Sequence, residues 1–568
     1  MENDSPFASY LRTNYSATQE ETVKLTEFLV GPISKLNELQ DEIARVKAYY
    51  NSLVEKHMEL SLYIERHQTL MAPVRRLSVD VIQEIFIHCL PTTHNAVISA
   101  KESPILLTCI CSSWRRIALS TAALWTSIHI PIPQTSNEDS QLVVAMTTAK
   151  SRAKAIKVWL ARSGDCVLNI FLFDHRYNQF CRDSMPSDIY DVILDALIPF
   201  SRRWGTLTCQ TPAWGLARIA AIPASDLPRL HTLTIYGSGS SGFHDVPQHN
   251  WADSGVLRAP SLRAITFHKI TENFAGFPLS WNQLTKIAIS DLAWYTEENY
   301  SVVCVAKLLA ACPLLRHCRL DITESAVPVQ HPTDALSEHA PKAVVLRYLE
   351  HLTLSGSHDV MDLSPLLDAL DVPALEQLDI CVHLTTVAPL LALLRRTADT
   401  LRDLTLDPGR FCHADFFTCL SACSGLTALS LHDVSLGHLV HRPMLVNDIF
   451  LRDVLVPGSE ENFAVPPLQT FTCRIPADFS DAGVLEAVHA RRAVDGARVN
   501  GWPSLSRVKI VFGRPQQQPV LSAVEDLAEV GVACELIYSQ TYFFPKSLPT
   551  DGAVVVPETK MWGVPPTF

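Results

Sequence analysis

The pattern L-x-x-L-x-L recurs along most of this chain, and it constrains the fold more than any other feature. With conservative changes it starts at Leu230, Leu262, Leu284, Leu315, Leu349, Leu375, Leu401 and Leu426, and in weaker form at Leu468 and Leu505. The final L-x-L is strand alternation, which points both apolar side chains into one core. The leucine three residues earlier anchors the turn that enters the strand. Pro228, Pro260, Pro313, Pro373, Pro467 and Pro503 come just before copies of the motif. Runs with helical character lie between copies, as in VVCVAKLLAACP, DLSPLLDALDVP and VAPLLALLRRTADT.

One strand and one helix per unit, stacked in parallel, make a leucine-rich-repeat-like solenoid. The copies at Leu349, Leu375, Leu401 and Leu426 are about 25 or 26 residues apart, within the ~20–29 residues of such repeats. Most other gaps are longer, and no asparagine follows the strands at a fixed place, so the array is expected to be irregular and to carry insertions. Val167–Phe173 and the stretch from Trp204 to Leu207 fit as two earlier strands. A doubly wound α/β domain whose strands look alike is the competing architecture.

Upstream, a heptad seam runs through Leu36, Leu39, Ile43, Val46, Tyr50, Leu53, His57, Leu60, Ile64 and His67, alternating in steps of three and four. Pro32 suits the first turn of a helix, and Pro73 ends the pattern. Two readings fit: a coiled coil that makes a homodimer through residues 33–68, or one long helix lying on its own domain.

Between seam and repeats, PVRRLSVDVIQEIFIHCL (73–90) places Val74, Leu77, Val81, Ile85 and Phe86 at helical spacing, and also Ile82, Cys89 and Leu90. Asp80 lies in the first turn, where its charge favours the helix N-terminus. After a polar loop from Thr92 to Ser103, Leu106, Ile110, Trp114 and Ile117 share one helical face until Ser120 and Thr121 break it before Leu124 and Trp125. Helices this short and this apolar must bury their surface against something. They read as a compact helical segment that folds partly against a partner.

These residues resemble the F-box. Leu77-x-x-x-Val81 leads to Glu84, Ile85 and Phe86; Ile110-Cys111-x-x-Trp114-Arg115 follows, then Leu124-Trp125. The layout is similar to F-box proteins of mushroom-forming fungi, in which a coiled-coil segment precedes the box. F-boxes commonly begin Leu-Pro-x-Glu. Here the residues are Leu77, Ser78, Val79 and Asp80, and Ser78 can cap the helix in place of the proline. The resemblance implies binding to the Skp-type adaptor of a cullin–RING ubiquitin ligase through Leu77, Val81, Ile85, Phe86, Leu90, Trp114 and Trp125. It also implies a protein substrate on the repeats. Irregular repeats carry no recognition code, so that substrate stays unnamed. The alternative is an interaction scaffold without ligase function.

The expected class is therefore α/β: a long helix and a small all-helical F-box before an irregular leucine-rich-repeat-like solenoid. Residues 1–30 are read as loose, 31–70 as the helix, 71–130 as the F-box, 150–515 as the solenoid and 516–568 as a cap or tail. A hydrophobic fraction of 47% over 568 residues is enough for extended cores. The net charge of −12 and the lack of a basic stripe argue against a nucleic-acid partner.

No apolar run approaches the ~18 residues of a membrane helix, and no signal peptide opens the chain. The 15 scattered cysteines read as reduced, buried thiols of a cytoplasmic or nuclear protein. No catalytic set, cofactor site or metal site is expected. Gly237, Gly239 and Gly242 match the dinucleotide fingerprint, but no helix start follows them. Cys412, His413, Cys419, Cys423 and His432 alternate with phenylalanines and read as core. Cys109 and Cys111 are expected buried in the box helix, not as nucleophiles.

Overall fold

The computed structural model describes residues 5–133, 139–174, 187–211, 213–236, 251–268, 276–290, 302–322, 343–356, 363–382, 384, 386–408, 411–432, 446–456, 466–475, 479–491, 505–512, 514–517, 519–529 and 531–538. The chain divides into two compact units, Met1–Glu84 and Ile85–Phe568.

The first unit is dominated by helix α1 (Gln19–Leu70). It begins well before Pro32, because Thr18 and Glu21 form a reciprocal capping box. The Thr18 hydroxyl accepts from the Glu21 N–H, and the Glu21 carboxylate accepts from the Thr18 N–H at 2.9 Å. Two of the donors that a helix start leaves orphaned are thus satisfied. Pro32 lies inside the helix, and residues 19–30, read from sequence as loose, are helical. At ~1.5 Å per residue the 52 residues extend about 78 Å. No residue of α1 is buried.

Helix α2 (Val79–His88) runs across the division between units. The Ser78 hydroxyl accepts from the Val81 N–H at 3.4 Å, as expected of a helix cap. In the second unit α3 (Ile105–Ile110) and α4 (Ser112–Ser120) replace the single helix expected from Leu106 to Ile117. The break falls at Cys111, whose backbone is extended and whose Sγ accepts from the Trp114 N–H. Cys109 and Cys111 are exposed, not buried.

Strand β1 (Ser127–Pro131) follows directly, inside the stretch assigned from sequence to the helical segment. Residues 95–97 lie along it. Ala96 accepts from the His129 N–H at 2.8 Å, Val97 bridges to His129, and the Asn95 amide donates to the Ile128 and Asn169 carbonyls. The helical segment from Ile85 onwards and the repeats therefore belong to one compact unit.

After α5 (Asp139–Arg162) come β2 (Leu168–Phe173), α6 (Ser187–Leu197), β3 (Trp204–Gln210), α7 (Ala213–Ala220), β4 (Thr232–Tyr236), β5 (Ala264–His268) and β6 (Lys286–Ser290). Then follow α8 (Val302–Ala310), β7 (His317–Ile322), β8 (Val344–Val345), β9 (His351–Gly356), α9 (Ser364–Ala369), β10 (Leu370–Asp371) and β11 (Gln377–Cys381). The array ends with α10 (Ala388–Arg396), β12 (Asp403–Leu406), α11 (His413–Ser421), β13 (Ala428–Leu431), α12 (Asp448–Leu455), β14 (Thr470–Cys473), α13 (Asp481–Ala490), β15 (Arg507–Phe512), α14 (Leu521–Glu529) and β16 (Ala533–Tyr538).

Fourteen of these strands form one sheet in chain order, while β8 and β10 pair separately; every pairing is parallel. A doubly wound sheet reverses its strand order at a switch point. This order never reverses, so the described fold is a solenoid of α/β units.

Every L-x-x-L-x-L copy named from sequence enters a strand of this sheet. Leu349, Leu352 and Leu354 are buried, as are Leu375, Leu378 and Ile380, and Leu401, Leu404 and Leu406. The leading leucine closes the entering turn: the Leu349 N–H donates to Leu346 and the Leu375 N–H to Val372.

Arginines tie consecutive units. Arg203 donates to the Leu160 carbonyl in the last turn of α5 at 2.8 Å, and to the Ser163 hydroxyl just beyond that helix at 2.9 Å. Arg396 reaches back from α10 to the Leu367 and Leu370 carbonyls. Arg491, fully buried, donates to Leu455 at 3.0 Å and Leu468 at 2.7 Å. These bonds satisfy carbonyls that helix ends and turns leave without backbone partners.

Candidate protein-interaction surfaces

The residues that carry the sequence motif separate by exposure. In the first unit Leu77 and Val81 are 37% and 46% exposed. In the second, Ile85 is 38% exposed, Leu90 and Trp114 are half-buried, and Phe86 and Trp125 are wholly buried. The Phe86 ring meets Trp114 edge-on at 4.9 Å. The Trp125 indole N–H donates to Ala118 at 2.9 Å, and the Arg162 guanidinium lies over the same ring. Phe86 and Trp125 thus sit in the core of the second unit. Leu77, Val81 and Ile85 are the accessible members of the set, with Leu90 and Trp114 partly so.

A second surface is the open sheet face, which carries the residues between the buried leucines. Strand register lines them up in rows. One row reads Lys286, His317, His351, Gln377 and Asp403 across β6, β7, β9, β11 and β12. The next row reads Ala288, Arg319, Thr353, Asp379 and Thr405. Nearer β1 the face is aromatic, with His129 against Phe171 and Phe173. Across β3 to β5 it is mostly threonine (Thr206, Thr208, Thr232, Thr234, Thr266).

The middle of this face holds a connected polar network. Thr353 donates to Asp379 at 3.1 Å, the Gln377 amide nitrogen lies 3.2 Å from the same carboxylate, and His351 Nδ1 lies 2.8 Å from Gln377 Oε1. His317 and His351 face each other with centroids 4.6 Å apart. Burial, then the neighbouring His351 ring, pulls the His317 pKa below the ordinary imidazole value. Burial, then the Asp379 charge, pushes the Asp403 carboxyl up to about 6. Asp403 Oδ1 is buried without a hydrogen-bond partner among the described residues. Sequence reasoning missed this network, because its members come from separate strands and only register brings them together.

The other sequence candidates fall elsewhere. Cys419 and Cys423 are buried, with burial pushing both thiols up to about 12, beside buried Phe416 and Phe417, whereas Cys412, also read as core, is exposed. Cys318 and Cys473 are also buried. Gly237, Gly239 and Gly242 lie outside the described residues. No described helix is long and apolar enough to cross a membrane.

No protein-family model matches the chain, and no curated protein matches it. Among solved structures, the crystal structure of the TLR13-ssRNA13 complex is similar at a TM-score of 0.27 and 11% identity, over 62% of this chain. The match spans 41% of that chain, less than half its length. The fold described above rests on strand order and repeat spacing, independently of that likeness.

Proposed function

We propose that this protein is a non-enzymatic adaptor that acts as the substrate receptor of a cullin–RING ubiquitin ligase. Residues 73–125 dock on a Skp-type adaptor in the manner their F-box resemblance implies, and the open sheet face holds a protein substrate. One observation carries the reading: the helix bearing the motif leaves Val79, Val81, Ile85 and Ile87 each more than a third exposed, although exposed apolar side chains at this density are what a partner usually covers. The contribution to ubiquitin transfer is proximity, a raised effective concentration of a target lysine. The compartment consistent with it is cytoplasm or nucleus.

The test is co-purification of the full chain with a Skp-type adaptor, beside a Val81→Asp/Ile85→Asp variant. Micromolar or tighter binding by the wild type, lost in a variant with unchanged circular dichroism, supports the reading. Failure of the wild type to bind favours a second one, an interaction scaffold without ligase function. The departure of Leu77-Ser78-Val79-Asp80 from Leu-Pro-x-Glu is the observation on its side.

Self-association belongs to the same proposal. Leu36, Leu39, Ile43, Val46, Tyr50, Leu53, Leu60 and Ile64 are all exposed along α1. A heptad seam of that length is complementary to a second copy of itself, and residues 33–68 would pair two chains.

A further inference from the structure

His317 and His351 begin neighbouring parallel strands, β7 and β9, and are register partners. Glu350 stands immediately before His351 in the turn entering β9. One ligand atom from each of the three side chains lies within 4.8 Å of the others, and all three are half-buried. Among the described residues this is the one grouping of three His, Cys or carboxylate side chains so disposed.

The surrounding hydrogen bonds prepare His351 to be a ligand. The Asp379 carboxylate only accepts, so the Gln377 amide turns its nitrogen toward it, at 3.2 and 3.4 Å. That orientation leaves Gln377 Oε1 facing His351 Nδ1 at 2.8 Å. An amide oxygen also only accepts, so Nδ1 carries the proton and Nε2 keeps its lone pair. A ligating imidazole is usually held this way, its second nitrogen donating to an oxygen that fixes tautomer and ring orientation. Thr353 steadies the far end of the relay by donating to Asp379 at 3.1 Å. Glu350 is held in turn by Arg316 through Oε1, which leaves its second oxygen for another partner.

We propose that His317, Glu350 and His351 form a binding site for a divalent transition-metal ion, with zinc the best match to two imidazoles and a carboxylate. Ligand atoms around tetrahedral zinc lie about 3.3 Å apart, given bonds of ~2.0–2.1 Å. Binding therefore draws the half-exposed His317 and Glu350 side chains inward. Three protein ligands leave a coordination position open on the solvent side of the sheet face. Water fills it in the isolated protein, and a donor side chain of a bound partner can replace that water. The nearby Arg316 and Lys286 charges oppose the ion, while Asp379 and Glu350 favour it.

The test is titration of the full-length protein with zinc chloride in competition with a chromophoric chelator, and with cobalt chloride followed by visible absorption. The expected result is one saturable site of micromolar or tighter affinity. A His317→Ala/His351→Ala variant loses at least a hundredfold. Gln377→Leu keeps all three ligands and weakens binding about tenfold, as loss of an outer-shell partner does. Glu350→Gln, a change at a half-exposed side chain, covers the case of a double variant that does not fold. Equal affinity in wild type and variants would overturn the proposal, as would no saturable site. So would an intense sulfur-to-cobalt charge-transfer band, which would assign the ion to exposed thiols such as Cys89, Cys109, Cys111 and Cys412.

Discussion

Trp125 and Trp159 meet edge to face with ring centroids 4.9 Å apart. One ends the helical segment and the other lies in α5, the first long helix of the repeat unit. Both are buried, so the pair fastens that segment to the array. Trp125→Ala is expected to destabilise the second unit by about 3–5 kcal/mol, the usual cost of deleting a buried aromatic. Chemical denaturation followed by tryptophan fluorescence measures it. Loss of adaptor binding in that variant would report unfolding, not a lost contact.

Adjacent residues of α2 should respond in opposite ways. Phe86 is wholly buried and Ile85 is 38% exposed. Phe86→Ala is expected to cost about 3–4 kcal/mol, and Ile85→Asp less than about 1 kcal/mol. Denaturant midpoints of the two variants, read beside their adaptor affinities, separate core from contact.

The exposed seam of α1 predicts concentration-dependent association. Sedimentation equilibrium of the full chain should give twice the 63.0 kDa chain mass. A Val46→Glu/Leu53→Glu variant should sediment as one chain, because both changes place charge in the seam. A wild type that stays monomeric at tens of micromolar would refute the pairing.

Asp403 makes stability depend on pH. Its carboxyl pKa is raised in the folded protein to about 6, so the folded state holds the proton more tightly than the unfolded chain does. Below about pH 3 both states are protonated and the penalty is absent. It grows as pH rises from about 3 to 6 and is complete above that. Asp403→Asn removes it, and should match wild type at pH 3 while exceeding it at pH 7.5 by on the order of 1–2 kcal/mol. Denaturant melts at the two pH values decide this.

Arg491 remains charged at neutral pH although burial lowers its pKa to about 10. Its guanidinium bonds the carbonyls of Leu455 and Leu468. Arg491→Met fills much of the volume but leaves those carbonyls unpaired, and should cost about 3 kcal/mol. Hydrogen exchange should show the loss first around α12 and β14.

The repeat strands were legible because side-chain alternation is local: any window holding L-x-x-L-x-L contains its own evidence. β1 lacks the leading leucine and follows the helical segment without a break, so Ile128 and Ile130 were absorbed into that segment. Their alternation, continued by Ile132, was the available signal. β16 was assigned to the cap for the same reason. The start of α1 is hidden by Pro32, which looks like a first-turn residue, while the Thr18–Glu21 box lies in the stretch read as loose. Phe86 and Ile85 are neighbours of similar hydrophobicity, and only the fold tells the buried one from the exposed one. His317, Glu350 and His351 come together through strand register across an intervening insertion, and no linear pattern records that.

Because the sheet adds strands strictly in chain order, position along it works as a ruler. Each strand advances the face by ~4.8 Å. The His317–His351 pair lies about six strands beyond β1, a contour distance of roughly 30 Å from the edge that residues 95–97 cover. On the proposed function, a substrate held there would sit a counted number of strand steps from β1, and removing one repeat between the two would shorten that reach by a single graduation.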